Sequence, residues 1–155
     1  MQTVEQLIAD APVFQEMAQE HLELIAGCAQ NRTFEEGAYL MREGDPADSF
    51  YVIRYGRVAL EIPVPSRGAL TVETIEDGDL VGWSWLVPPF RTSLDARALS
   101  NTHTVVFDGT CLRGKADQDP ELGYELMRRF VPVIVERLRA TRVQLLDVYG
   151  HAHAG

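Results

Sequence analysis

The residue types best suited to chemistry lie in the stretch GDLVGWSWLVPPFRTSLDARA, Gly78 to Ala98. Within it Gly82, Trp83 and Ser84 stand a short loop ahead of Arg91 and Thr92. A turn leading into a helix start presents main-chain N–H groups, an arginine adds a planar fork of donors, and a hydroxyl adds one more. Such a set holds an anion without reacting with it. The two tryptophans need a separate reason, because Gly-Asp and Pro-Pro mark turns whereas an indole is a large apolar side chain that sandwiches a ring or fills a core. In an extended segment Trp83 and Trp85 share a side; on a helical turn they diverge by about 200°. One indole is expected to face a pocket and the other to fill the core.

Reactive constellations are missing. Catalytic metal sites need about three His or carboxylate ligands held close together. The β-rich part of the chain holds one histidine, His103, with none two or four residues away. Gly82-Trp83-Ser84 is half of a nucleophile elbow without its second glycine, and no His–Asp pair stands out to activate Ser84. A GxGxxG or Walker loop, the cradle of linear nucleotides, is also absent. His21 reads as a helix residue, and His151 and His153 as part of a frayed HAHAG tail. The expectation is a protein that is not an enzyme, with no catalytic residue, no metal and no cofactor.

A chain of 155 residues with 46% hydrophobic and 24% charged residues has the composition of one folded domain. Its 23 acidic against 14 basic side chains leave a net charge of −9, a field that repels phosphate backbones and anionic membranes. Residues 121–149 depart from it, with five arginines against four acids. Cys28 and Cys111, far apart, make a weak case for a disulfide and none for zinc, so reduced thiols in a cytoplasmic protein are expected. The start MQTVEQLIADAP lacks the flank and apolar run of a signal peptide, and no segment approaches the ~18 apolar residues of a membrane span.

Three zones position the candidate loop. Over residues 1–31, Thr3 and Gln6 fit a capping box, Pro12 breaks the pattern, and a second helical periodicity follows. Over 32–112, the runs AYLMR, SFYVIR, RVALEIP, LTVETIE, LDARAL and HTVVFD recur between turn glycines and predict a sandwich or small barrel. Over 118–149, Met127, Val131, Ile134, Leu138, Thr141, Leu145 and Val148 follow a 4,3,4,3,4,3 spacing. That heptad seam outruns what one small barrel can cover and predicts a homodimer. Pro132 lies inside it and is expected to kink or restart the helix near Phe130.

The run FEEGAYLMREGDPADSFYVIRYGRVALE resembles the front half of the cyclic-nucleotide-binding domain of the bacterial cyclic-AMP receptor protein type. Gly37, Tyr39-Leu40, Gly44-Asp45, Phe50-Tyr51-Val52-Ile53 and Gly56 follow that family's order of turns and strands, and Gly78-Asp79 and Gly82 continue it. The similarity extends from about Ala11 to Tyr149. It implies a mainly β fold: an eight-stranded, cupin-like jelly-roll barrel with N-terminal helices and a long C-terminal dimerisation helix, all in one domain, residues 1–155. It also implies that the opening stretch is a phosphate-binding cassette, whose family form runs Phe-Gly-Glu, a short helix, then Arg-Ser or Arg-Thr. There the glutamate accepts from the ribose hydroxyl, the arginine neutralises the cyclic phosphate, and the long helix supplies a lid.

This sequence departs from that pattern. Trp83 stands where the glutamate belongs, and an indole donates one hydrogen bond but accepts none. Losing a charge-assisted bond costs about 1.5–3 kcal/mol, roughly one to two decades of affinity. Counted without gaps, Thr92 rather than Arg91 falls at the arginine position, and in an extended segment a one-residue slip turns a side chain to the opposite face. If Pro88-Pro89 shorten the loop, Arg91 returns to the pocket, which is the expectation here. Thr141 and Arg142 match the lid. The chain stops at Gly155 with no helix-turn-helix after the long helix, so direct DNA binding is not expected. Two functions follow. One is a sensor that binds a small anionic ligand, a cyclic nucleotide being one candidate, through Gly82, Trp83, Ser84, Arg91, Thr92, Thr141 and Arg142. The alternative is a ligand-free protein-interaction module with its pocket plugged by tryptophan.

Overall fold

The computed structural model describes residues 3–66 and 68–154, apart from the side chains of residues 148, 149 and 151–154. The chain opens with the predicted capping box: the Gln6 N–H donates to Thr3 Oγ1 at 3.2 Å, and the Thr3 N–H donates to Gln6 Oε1 at 2.8 Å. This starts α1 (Val4–Ala9). Pro12 then begins a 3-10 turn (Pro12–Phe14), and α2 covers Gln19–Ala26.

Eight strands follow: β1 (Ala29–Phe34), β2 (Tyr39–Met41), β3 (Ser49–Tyr55), β4 (Val58–Val64), β5 (Gly68–Ile75), β6 (Leu80–Val81), β7 (Asp95–Ala98) and β8 (Thr102–Asp108). They pair antiparallel in two sheets of four, ordered β1-β8-β3-β6 and β2-β7-β4-β5. The closed barrel expected from the sequence is not formed. The edge strands β2 and β6 have three and two residues, too short to carry a ladder from one sheet to the other.

Alternation along the strands divides the interior. Tyr51, Ile53, Val58, Leu60, Ile75 and Ala96 fill one apolar cluster contributed by both sheets. Phe50, Val52, Val105 and Phe107 point the other way and pack on Ile8, Phe14, Ile25, Leu122, Leu126 and Phe130 of the helical segments. β3 is therefore buried on both faces, which explains its unbroken apolar run.

Helix α3 (Gly109–Gln118) is N-capped by Asp108, whose carboxylate accepts from the Cys111 N–H at 3.0 Å. Helix α4 (Pro120–Ala154) is continuous through Pro132, so of the kink or restart expected near Phe130 the restart does not occur. Proline removes one backbone bond, but Leu122, Leu126 and Phe130 before it and Val133 after it pack against the same cluster and hold the helix across the gap. Among the described residues, no helix is long and apolar enough to cross a membrane.

The cysteines are also corrected by the structure: Cys28 and Cys111 form a disulfide across 83 residues of sequence. Antiparallel pairing of β1 with β8 places Ala29 opposite Phe107, and the Asp108 N–H donates to the Cys28 carbonyl at 2.8 Å. That pairing brings the two Cα atoms to 5.8 Å, within disulfide range.

Candidate functional site: the cassette between β6 and β7

The loop begins where β6 ends. Gly82 has φ +99°, a backbone conformation that favours glycine, and a Cβ there would also press on the mobile Met41 Cε at 2.9 Å. Trp83 then leads into a 3-10 turn, Ser84–Leu86. The tight turn sends the two indoles apart. Trp85 is fully buried, stacked on Phe50 at 4.9 Å and edge-on to Phe130 at 5.2 Å. Gly109 makes room for it, since a Cβ at that position would lie 2.8 Å from Trp85 Cβ. Trp83 is half-buried and lines a cleft with Gly82, Ser84, Thr92 and Leu60.

After Pro88 and Pro89, joined by a cis bond, the chain lies extended against residues 44–47. The Ala47 N–H donates to the Phe90 carbonyl at 2.9 Å, the Thr92 N–H to the Asp45 carbonyl at 2.9 Å, and the Gly44 N–H to the Thr92 carbonyl at 2.8 Å. Arg91 is bridged to Pro46. In such a segment side chains alternate, and Arg91 is exposed, Thr92 buried and Ser93 exposed. The expectation of Arg91 inside the pocket is corrected: it does not line the cleft, and Thr92 takes the inward position. The two prolines do not shift the register because the pairing with Asp45 and Pro46 sets it.

A different guanidinium lines the cleft. Arg137 of α4 donates from Nη1 to Glu73 Oε2 at 3.1 Å and from Nη2 to the Leu80 carbonyl at 2.6 Å. Its side chain is 10% exposed. Thr141 and Arg142 do not line the cleft: the Thr141 hydroxyl donates to the Arg137 carbonyl at 2.8 Å, and Arg142 is exposed. Arg137 lies one helical turn before Thr141, on the same face of α4. The i, i+4 spacing of Arg137 and Thr141 in RLRAT was the available signal.

The space that remains is small. The cleft holds about 20 Å³, room for roughly one water. An adjoining hollow of about 110 Å³ is lined by Asp45, Ser49, Tyr51 and Thr92. Burial pushes the Tyr51 phenol above its ordinary pKa, against the opposing influence of Arg32 and a bond to Ser49, and the phenol donates to the Leu40 carbonyl at 3.0 Å. No histidine lines the cleft beside Ser84. Among the described residues, no group of three or more His, Cys, Asp or Glu could hold a metal ion.

Two sheets, flanking helices and a glycine-led loop closed by a long helix define the class, and comparison with known proteins agrees. The chain belongs to the cyclic nucleotide-binding domain family, whose model matches residues 31–119. It is 24% identical over 145 residues to a CRP-like cAMP-activated global transcriptional regulator of Mycobacterium tuberculosis, covering 94% of this chain and 63% of the relative. The chain thus spans about three-fifths of that regulator's length. Among solved structures, it is similar to a Geobacter metallireducens GS-15 protein assigned to cyclic nucleotide binding, with TM-score 0.78, 26% identity, and 89% and 99% of the two chains covered. It also shares its fold with a cyclic nucleotide-binding domain from Methylobacillus flagellatus KT, with TM-score 0.75, 20% identity, and 93% and 81% covered.

Proposed function

We propose that this chain is a non-catalytic regulatory module whose cassette has become a structural plug, so that its regulatory contacts run through α4 and not through a bound cyclic nucleotide. One observation carries this reading. The cleft at the cassette position holds about 20 Å³, whereas sites for small organic ligands need about 300 Å³ at the least. Trp83 replaces the ribose acceptor, Arg91 stands outside, and the Arg137 guanidinium on the cleft is already engaged by Glu73 and Leu80.

The output surface in this reading is the face of α4 turned away from the core. Tyr124, Met127, Val131, Val135, Leu138 and Leu145 are exposed there, while Leu122, Leu126 and Phe130 are buried on the opposite side. A regular apolar seam on a charged helix suits pairing with a second copy of the chain. Val148, the last position of the predicted seam, lies outside the described side chains.

A second reading, a sensor of a small anion, is favoured by the convergence of Arg137, Ser84 and Thr92 on the cleft. Titration calorimetry with cyclic AMP, cyclic GMP and other phosphorylated ligands separates the two. The plugged module gives no saturable heat at millimolar ligand. Saturable binding that is lost in Arg137→Ala establishes the sensor instead.

A further inference from the structure

We propose that Cys28–Cys111 is a thiol–disulfide switch that sets how firmly α3, and through it the cassette loop, is fastened to the end of α2. Helix α3 is a bracket between these parts. Its first turn carries Cys111, bonded to Cys28 just beyond α2. Lys115 Nζ donates to the Leu24 carbonyl of α2 at 2.7 Å. Between them, Arg113 reaches the cassette: Nη1 donates to the Trp85 carbonyl at 2.5 Å, and its guanidinium carbon lies 4.4 Å from the Phe90 ring centroid. At its far end α3 passes to α4 through Asp119, whose carboxylate accepts from the Leu122 N–H at 3.2 Å. The disulfide is the one covalent member of this set, so opening it leaves α3 held by polar contacts that break and re-form.

Both cysteines border an open groove of about 560 Å³ that Arg32, Asp48, Asp108 and Thr110 also line, and this groove is the proposed entry for a partner thiol. Cys111 is half-buried, whereas Cys28 is 6% exposed. A dithiol reductant entering from the groove attacks Cys111 Sγ through its thiolate. The Sγ–Sγ bond breaks, and Cys28 leaves with the electron pair and takes up a proton. The reductant's second thiolate then attacks its own sulfur in the mixed disulfide and releases Cys111, which is protonated in turn. In sum, two electrons and two protons pass to the pair, and the dithiol becomes a disulfide. An oxidised dithiol runs the same exchange backwards.

This inference stands whether or not the cassette takes a ligand. The test uses the full chain with and without dithiothreitol. Thiols are counted by maleimide labelling and intact mass, and amide hydrogen exchange is followed over residues 85–90 and 109–119. The expected result is no labelled thiol before reduction, two after it, and about tenfold faster exchange in both segments, with the remaining strands protected. Reduction should lower the Tm by about 10 °C or more while the chain stays folded at 25 °C. The double variant Cys28→Ser/Cys111→Ser should match the reduced protein and ignore dithiothreitol. Two labelled thiols with unchanged exchange at 85–90 would reduce the bond to a passive staple and overturn the switch. Loss of far-UV circular dichroism on reduction, or thiols that label in the air-oxidised folded chain, would also overturn it.

Discussion

The Arg137 guanidinium, carried by α4, lies 3.1 Å from the Glu73 carboxylate of β5, and this contact closes the long helix over the cassette. Arg137 is nearly buried and Glu73 about a quarter exposed, so the pair sits between a surface and a core ion pair. Truncating the arginine leaves the Leu80 carbonyl without its donor as well. Arg137→Ala is expected to lower stability by about 2–3 kcal/mol, and Glu73→Gln by about 1 kcal/mol because the bond to Leu80 survives. Urea denaturation of the two variants against the parent measures both.

The tryptophans should separate by location. Trp85 is fully buried among Phe50, Phe130 and the start of α3, so Trp85→Ala opens a core cavity at a cost of about 3–5 kcal/mol. Trp83 is half-buried at the cleft, and Trp83→Ala is expected to cost about 1 kcal/mol while enlarging that space. Thermal unfolding of the two variants checks the order.

A monomer–dimer equilibrium tests the outer face of α4. Leu138 is 58% exposed in the single chain, so a charge there harms only an interface. The parent is expected to sediment as a dimer, and Leu138→Glu as a monomer with its unfolding midpoint lowered only through the lost association. A monomeric parent at micromolar concentration contradicts the seam.

Stability should fall in acid partly through Glu125. Burial raises its pKa, but hydrogen bonds from Arg129 and Arg128 outweigh that and hold the carboxylate below its ordinary value of 4.5. A depressed carboxylate stabilises the folded chain above the unfolded value, and that share is lost as pH falls through the folded value. Arg129 also donates to the Val13 and Gln15 carbonyls at 3.0 and 2.8 Å, so Glu125 helps fasten the N-terminal segment to α4. Glu125→Gln is expected to be less stable than the parent at pH 7 and to approach it near pH 3, as followed by urea midpoints across pH.

Six of the eight strands were legible in the sequence because apolar residues alternate or run between turn glycines. The other two were not, for physical reasons. β1, AQNRTF, is an edge strand with mostly polar exposed side chains, and β6 has only two residues. The capping box of α1 was readable because it is local. The disulfide was not, since it depends on the pairing of β1 with β8. At the cassette, Gly82 and the divergence of the indoles could be anticipated from turn chemistry. The direction of Arg91 could not, because hydrogen bonds to Asp45 and Ala47, some 45 residues away, decide which neighbour faces inward. Arg137 was not legible because an arginine beside an apolar seam on a helix ordinarily faces water, and its partners Glu73 and Leu80 lie more than 50 residues away in sequence.

The most direct test of the plugged cassette is a calorimetric titration of the full chain with cyclic AMP, paired with a melt at 1 mM ligand. The plug predicts no saturable heat and an unchanged Tm. A ligand with a Kd of 10 μM would stabilise the folded chain by about 2.7 kcal/mol at that concentration, and the resulting rise in Tm would contradict it.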